Sequence, residues 1–209
     1  MKKKDIESST AYWISRYSSA KERNYKGASG NGRIPFRLRY KAQAINSLFG
    51  FYHIKSILDL GCGDGSLIGL LKIDNYFGIE IEANLVQALK LSFSERENFH
   101  FSVSRDKSWP GEYDCLLSID VIFHLLEDHV YRKYMDELFS GISSFVLVKS
   151  SDRDETGLGR NSHIRHRNFS KDVEEFYPRY VLIYKSRPRR KRLYLSISDR
   201  DSFYLFKRI

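Results

Sequence analysis

The stretch Ile57-Leu58-Asp59-Leu60-Gly61-Cys62-Gly63-Asp64-Gly65-Ser66-Leu67 decides how the rest of the chain is read. Ser56 to Leu60 reads as a short buried strand. Glycines at alternate positions follow, and Ser66 to Leu71 predicts the opening of a helix. Gly61 and Gly63 let the backbone come close to a ligand, and Gly65 allows close packing where the helix begins. A helix N-terminus there offers free N–H groups and partial positive charge. Fifteen residues past Gly65, Glu80 ends a second strand-like run from Tyr76. An acid in that place suits the hydroxyls of a ribose. The pattern departs from the dinucleotide fingerprint twice: the third glycine follows the second by two positions, not three, and Asp59 sits on the strand itself. Asp59 and Asp64 would repel a pyrophosphate and attract an ammonium or sulfonium group.

Outward from this stretch, strands and helices alternate. On the N-terminal side, Ala11 to Tyr17 predicts a short helix, and 28–33 is a loop by its glycines. Pro35 to Tyr52 predicts a longer helix, with Leu38, Ala42, Ile45, Leu48 and Phe49 at helical spacing. On the C-terminal side a helix is expected over Ala83 to Phe93, then strands over Phe99 to Val103 and Cys115 to Ile119. A helix over His129 to Phe139 follows, with Val130, Tyr134, Met135 and Leu138 on one stripe. Phe145 to Val148 reads as a buried strand, and Phe169 to Tyr177 as a helix with Ser170 at its N-cap. Tyr180 to Tyr184 and Phe203 to Phe206 close the chain as strands with no helix between them. The alternation predicts an α/β fold: a doubly wound, seven-stranded, mostly parallel sheet with an antiparallel C-terminal strand. Residues 1–35 read as a lid or cap segment, and 36–209 as the ligand-binding domain.

Composition narrows the class of function. The 209 residues are 42% hydrophobic and 14% aromatic, which excludes a wholly disordered chain. Cys62 and Cys115 are too few for a disulfide scaffold or a cysteine-based zinc site and suit a reducing compartment. No apolar run reaches the roughly 18 residues of a membrane span. The charged opening residues lack the apolar region of a secretory signal, so the expected location is cytoplasmic. Lys and Arg number 35 against 26 Asp and Glu, a net charge of +9 that favours an anionic partner. A solvated basic tail accounts for the same total. The densest cluster, Arg187, Arg189, Arg190, Lys191 and Arg192, reads as an exposed loop.

Asp59-Leu60-Gly61-Cys62-Gly63-Asp64-Gly65 resembles the signature of class I S-adenosylmethionine-dependent methyltransferases. The resemblance extends to Glu80, to Tyr113 to Val121 at the fourth strand, and to the final strand pair; it covers about residues 40 to 209. It implies S-adenosylmethionine as cofactor and S-adenosylhomocysteine as product. It also implies roles by position. Asp59, Gly61, Cys62, Gly63, Asp64 and Gly65 would hold the methionine end, and Glu80 the ribose hydroxyls. Ile81 would lie against the adenine, with Ser104 to Asp106 bordering its amine. Asp120 and Val121 would line the methyl side. Arg16 and Lys41 are weaker candidates for the cofactor carboxylate.

Transfer to an alcohol requires a base near the methyl. His124, four residues past Asp120 where this family places acceptor-facing residues, is the candidate base; the other reading is a helix-capping or packing histidine. His163, Arg165, His166 and Arg167, after a Gly157/Gly159 loop, form a candidate substrate clamp for phosphate or carboxylate. A solvated basic loop is the alternative, and no compact metal-ligand motif appears, so no metal is expected. The expectation is methyl transfer to a small molecule, with O-methylation of a sugar, sugar acid or related metabolite in first place. The alternatives are an RNA methyltransferase and a cofactor-binding partner subunit without chemistry. Against RNA, Asp120-Val121-Ile122-Phe123 stands where a flipped-base motif would follow the fourth strand.

Overall fold

A computed structural model describes residues 8–21, 25, 35–104, 111–154, 163–186 and 201–209. The basic cluster at 187–192, Asp106 and the Gly157/Gly159 loop lie outside the described residues. Helices α1 (Ser9–Ser18), α2 (Pro35–Tyr52), α3 (Ala83–Ser92), α4 (Asp128–Leu138) and α5 (Phe169–Phe176) accompany seven strands. These are β1 (Ser56–Leu60), β2 (Asn75–Glu80), β3 (Phe99–Val103), β4 (Tyr113–Ile119), β5 (Ser143–Ser150), β6 (Tyr180–Lys185) and β7 (Ser202–Arg208). They form one sheet in the order β3-β2-β1-β4-β5-β7-β6. Strands β1, β2 and β3 pair in parallel, while β7 is antiparallel to both β5 and β6. Among the described residues no helix is long and apolar enough to cross a membrane. The chain divides into two compact units, Thr10–Leu116 and Leu117–Ile209 with Met1–Ser9, the boundary falling inside β4.

In the first unit, α2 occupies the predicted span and buries Ala42, Ile45, Leu48 and Phe49, with Lys41 beside them. Its C-terminus closes without glycine: His53 takes φ +56°, and the Ile54 N–H reaches the Phe49 carbonyl at 2.9 Å. That is the six-to-one bond of a Schellman cap. Strands β1 and β2 are buried almost continuously, as parallel strands covered on both faces are. Strand β4 begins two residues before its predicted start. There Asp114 Oδ2 accepts from the N–H groups of Lys55 and Ser56, at 2.8 and 2.9 Å, and the Asp114 N–H donates to Ser56 Oγ at 2.9 Å.

The helix expected over Ser66 to Leu71 is absent; one 3-10 turn, Ile68–Leu70, stands in its place. Burial explains the shorter turn. Ile68 and Leu71 are both buried, and residues three apart eclipse in a 3-10 turn and so bury together. Asn46 of α2 then fixes the turn, donating to the Leu70 carbonyl and accepting from the Lys72 N–H, at 2.9 and 2.8 Å.

In the second unit, β5 and β7 are largely buried and β6 is exposed beyond Tyr180. Helix α4 buries Tyr131, Met135 and Leu138, so its inward stripe runs through Tyr131 rather than the predicted Val130. The Tyr131 hydroxyl donates to Asp172 at 2.5 Å, which turns the helix toward α5. Ser170 is not the N-cap of α5; Asn168 is, without a side-chain cap bond. The cap comes from elsewhere, as Asp152 accepts from the Ser170 N–H at 3.0 Å and from its hydroxyl at 2.8 Å.

Gly78 of β2 is the tightest backbone position the sequence reading passed over. A Cβ there would sit 2.8 Å from Phe101, 2.9 Å from Tyr76 and 3.0 Å from the Cys62 sulfur. Gly78→Ala is therefore expected to cost about 2 kcal/mol of stability by overpacking, measured by urea unfolding.

Candidate active site

The glycine turn in the first unit hangs from β2. The Gly61 and Cys62 N–H groups both donate to the Ile79 carbonyl, at 2.9 and 3.1 Å. The Gly63 N–H donates to Glu80 Oε2 at 2.9 Å, and Asp64 Oδ1 accepts from the Ser66 N–H at 3.1 Å. Gly61, Gly63 and Gly65 have φ of +87°, +63° and +75°, a region side chains rarely adopt. Gly65 does pack closely, but against α3 and not against a helix of its own: a Cβ there would lie 2.7 Å from Leu89 and 3.1 Å from Phe93.

Beneath the turn lie buried acids. Asp59, 4% exposed, accepts from the Tyr76 hydroxyl at 2.7 Å through Oδ2, while its buried Oδ1 has no hydrogen-bond partner. Glu80, 5% exposed, also accepts from the Ile81 N–H at 2.7 Å through Oε1. Burial lifts the pKa of each carboxyl to about 7, against the pull of their hydrogen bonds. Burial, reinforced by Glu80 and Asp59, also pushes the Cys62 thiol up, so it stays S–H. Glu82 caps α3, accepting from the Leu85 N–H at 2.6 Å. The Ser104 N–H donates to the Glu80 carbonyl at 2.9 Å, which places the exposed Ser104 just past β3. Lys41 is buried on α2, and Arg16 stays within α1, over Trp13 and donating to the Tyr12 hydroxyl at 3.1 Å.

In the second unit, Asp120 ends β4 with φ +61°, and its N–H donates to the Lys149 carbonyl at 2.9 Å. Its carboxylate receives the Lys149 ammonium, which also faces Asp201 at 3.6 Å. Burial alone would lower the Lys149 pKa; the two carboxylates outweigh it and raise it. A lone lysine in the apolar run of β5 is the signal that would have pointed to this cluster, which sequence reasoning missed along with Asp201 and Tyr76.

Val121 starts the 3-10 turn Ile122–His124. His124 Nδ1 lies 3.1 Å from the His163 carbonyl, and the two imidazoles stack at 5.5 Å. A carbonyl only accepts, so Nδ1 carries a proton, and in a neutral ring the lone pair falls to Nε2. His166 sits between Ser151 Oγ at 2.6 Å and Arg153 at 3.0 Å. Arg165 donates to the Leu126 carbonyl at 2.7 Å and reaches Asp128 at 3.0 Å. Arg167, 8% exposed, donates to the Leu125 and Leu126 carbonyls and to Asp128, and lies over Tyr131. These bonds tie the segment 163–167 to the loop after His124. The Arg167 hydrogen bond, with Arg165 beside it, holds Asp128 below the usual carboxylate range. Among the described residues no group of three His, Cys, Asp or Glu side chains could hold a metal ion.

A family model described as a methyltransferase domain matches residues 57–143. No curated protein sequence matches the chain. Among solved structures, the N-methyltransferase NodS from Bradyrhizobium japonicum WM9, in complex with S-adenosyl-L-homocysteine, is similar at TM-score 0.67 and 11% identity. The match covers 92% of this chain and 98% of that one. Magnesium protoporphyrin IX methyltransferase (ChlM) from Synechocystis PCC 6803, with bound SAM, is similar at TM-score 0.66 and 14% identity, covering 99% and 100%. An rRNA methylase from Escherichia coli is similar at TM-score 0.61 and 18% identity, covering 96% and 76%. The matched stretch runs from β1 to the first residue of β5 and contains the glycine turn. With the strand order around it, the match gives this chain the fold of class I S-adenosylmethionine-dependent methyltransferases.

Proposed function

We propose that the protein moves the methyl group of S-adenosylmethionine onto a hydroxyl of a small molecule, a sugar, sugar acid or related metabolite. When bound, the cofactor supplies an electrophilic methyl on a sulfonium. The first unit has the groups to hold it. Asp59 offers a buried carboxylate oxygen with no hydrogen-bond partner, which fits the ammonium of a methionine tail. Glu80 uses its oxygens on two N–H groups and keeps further lone pairs for a ribose diol. Gly61, Cys62, Gly63, Asp64 and Gly65 supply backbone that admits close approach, with Ile81 and Ser104 toward the base and Lys41 toward the tail carboxylate. The resemblance assigns Asp120 and Val121 to the methyl side, and the N-terminal segment that includes α1 is assigned the role of a cover.

The observation that carries the acceptor reading is the contact between His124 Nδ1 and the His163 carbonyl. With Nδ1 on the His163 carbonyl, the base role falls to Nε2 of the neutral ring, and a hydroxyl must lose a proton as it is methylated. His163 thereby orients the base. His166, Arg165 and Arg167 shape the acceptor side through the bonds that fix this loop, a role closer to positioning than to an open anion clamp. The surplus of +9 favours an acceptor carrying negative charge, and RNA is the competing acceptor of that kind.

Saturating S-adenosylmethionine is expected to raise the melting temperature by about 5–10 °C, and Glu80→Ala to remove most of that shift. In a labelled-methyl screen against sugars, sugar acids, nucleotide sugars and bulk RNA, incorporation into a hydroxylated small molecule supports the reading. Incorporation into RNA with steep salt dependence overturns it. With the acceptor so found, His124→Gln lowers turnover by about 100-fold or more while the cofactor melting shift stays intact. Lys149→Met leaves Asp120 and Asp201 without their cation and lowers stability by about 3 kcal/mol in urea unfolding.

A further inference from the structure

We propose that Asp59 and Glu80 form a charge-selecting pair: they carry a proton in the free protein and surrender it to a nucleoside whose tail brings a positive charge. The inference rests on the methyltransferase reading and deepens it, since it says how this site tells its cofactor from other adenine nucleosides.

The geometry is that of two buried acids on neighbouring strands. Asp59 pairs in register with Gly78 and Leu60 with Ile79, so Glu80 lies one step beyond, at the end of β2. Both side chains are at most 5% exposed. Among the described residues, the following groups face them. Tyr76 of β2 donates to Asp59, and the Cys62 thiol of the turn lies beside it. Glu82 and Asp64 face Glu80, which accepts from the N–H groups of Gly63 and Ile81. From α3 and beyond it, Leu89 and Phe93 close on Gly65, and β3 brings Phe101 against Tyr76. Among the described residues, no lysine, arginine or histidine is a partner of either carboxylate.

Two buried carboxylates without a counter-charge do not both stay ionised in water's absence. The dipoles of two N–H groups and one hydroxyl relieve only part of the cost, and Asp59 Oδ1 receives none of them. The missing charge comes from the solvent as a proton or from a ligand as a cation. Each carboxyl retains its proton up to about pH 7 in the free protein. An ammonium placed against the pair favours the ionised form, so the complex holds fewer protons than the free protein. Affinity then climbs as pH rises toward 7 and levels off above it. An adenine nucleoside without a cationic tail still offers its ribose diol to Glu80 but leaves the Asp59 proton in place and gains less from the rise, and one with anionic phosphates is opposed.

Titration calorimetry at pH 6.5 tests this with three probes, S-adenosylmethionine, S-adenosylhomocysteine and 5′-methylthioadenosine, in buffers of low and high ionisation enthalpy. At that pH a free α-ammonium, with an ordinary pKa of about 7.7–8, is already charged and contributes little. The expected result is release of about half a proton to one proton with either amino-acid-bearing probe. Their Kd falls about threefold to tenfold between pH 5.5 and 6.5, and 5′-methylthioadenosine, which meets Glu80 alone, shows a smaller release and a shallower slope. Asp59→Asn, with Glu80→Gln as a second variant, lowers the proton release and flattens the pH slope. Equal heats in the two buffers, or an equal pH slope for 5′-methylthioadenosine, overturn the charge-selecting pair and leave the methyltransferase reading standing. Absence of heat with all three probes overturns both.

Discussion

The end of β2 carries the glycine turn. Two consecutive turn N–H groups hang on the Ile79 carbonyl, and a third on the Glu80 carboxylate one residue later. The same strand holds Gly78, where the absence of a side chain lets Tyr76, Cys62 and Phe101 converge. The geometry of the turn depends on this attachment. The turn keeps its left-handed glycines because its N–H groups are already satisfied, and its acids are buried because the turn is drawn down onto the sheet. The site is thus a joint between two strands more than it is a helix N-terminus, since a single 3-10 turn gives little of a helix dipole.

Where side-chain periodicity and chain length agree, the sequence was readable to the residue. Helix α2 runs from Pro35 to Tyr52 and β3 from Phe99 to Val103, as their apolar spacing predicts. The order of helices and strands, with a final pair lacking a helix, led to the mostly parallel seven-stranded sheet. The misses share one cause: partners distant in sequence. Asp152 displaces Ser170 as the source of the α5 cap, and Asp172 draws Tyr131 inward past Val130. Asn46 supports a 3-10 turn where local pattern asked for a helix.

The same holds for the candidate site. Asp59, the glycines and Glu80 lie on a strand, a turn and a strand in a fixed spacing, and the structure brings them together as that spacing suggests. Lys149 was not, because its meaning comes only from Asp120 and Asp201, brought to it by β4 and by the approach to β7. Arg165 and Arg167 look like anion ligands in a basic stretch, yet their guanidinium groups are engaged with backbone carbonyls and Asp128. Composition shows how many cations a segment has; only the fold shows which of them are already engaged.

The thiol inside the glycine turn has a consequence for durability. A methyl donor is an alkylating agent, and under the proposed function an ionised cysteine in this turn would lie open to modification. Cys62 is spared because the neighbouring acids and its burial both disfavour the thiolate. Burial, the larger of the two causes, thus holds this sulfur as a thiol, the form less open to alkylation and to oxidants.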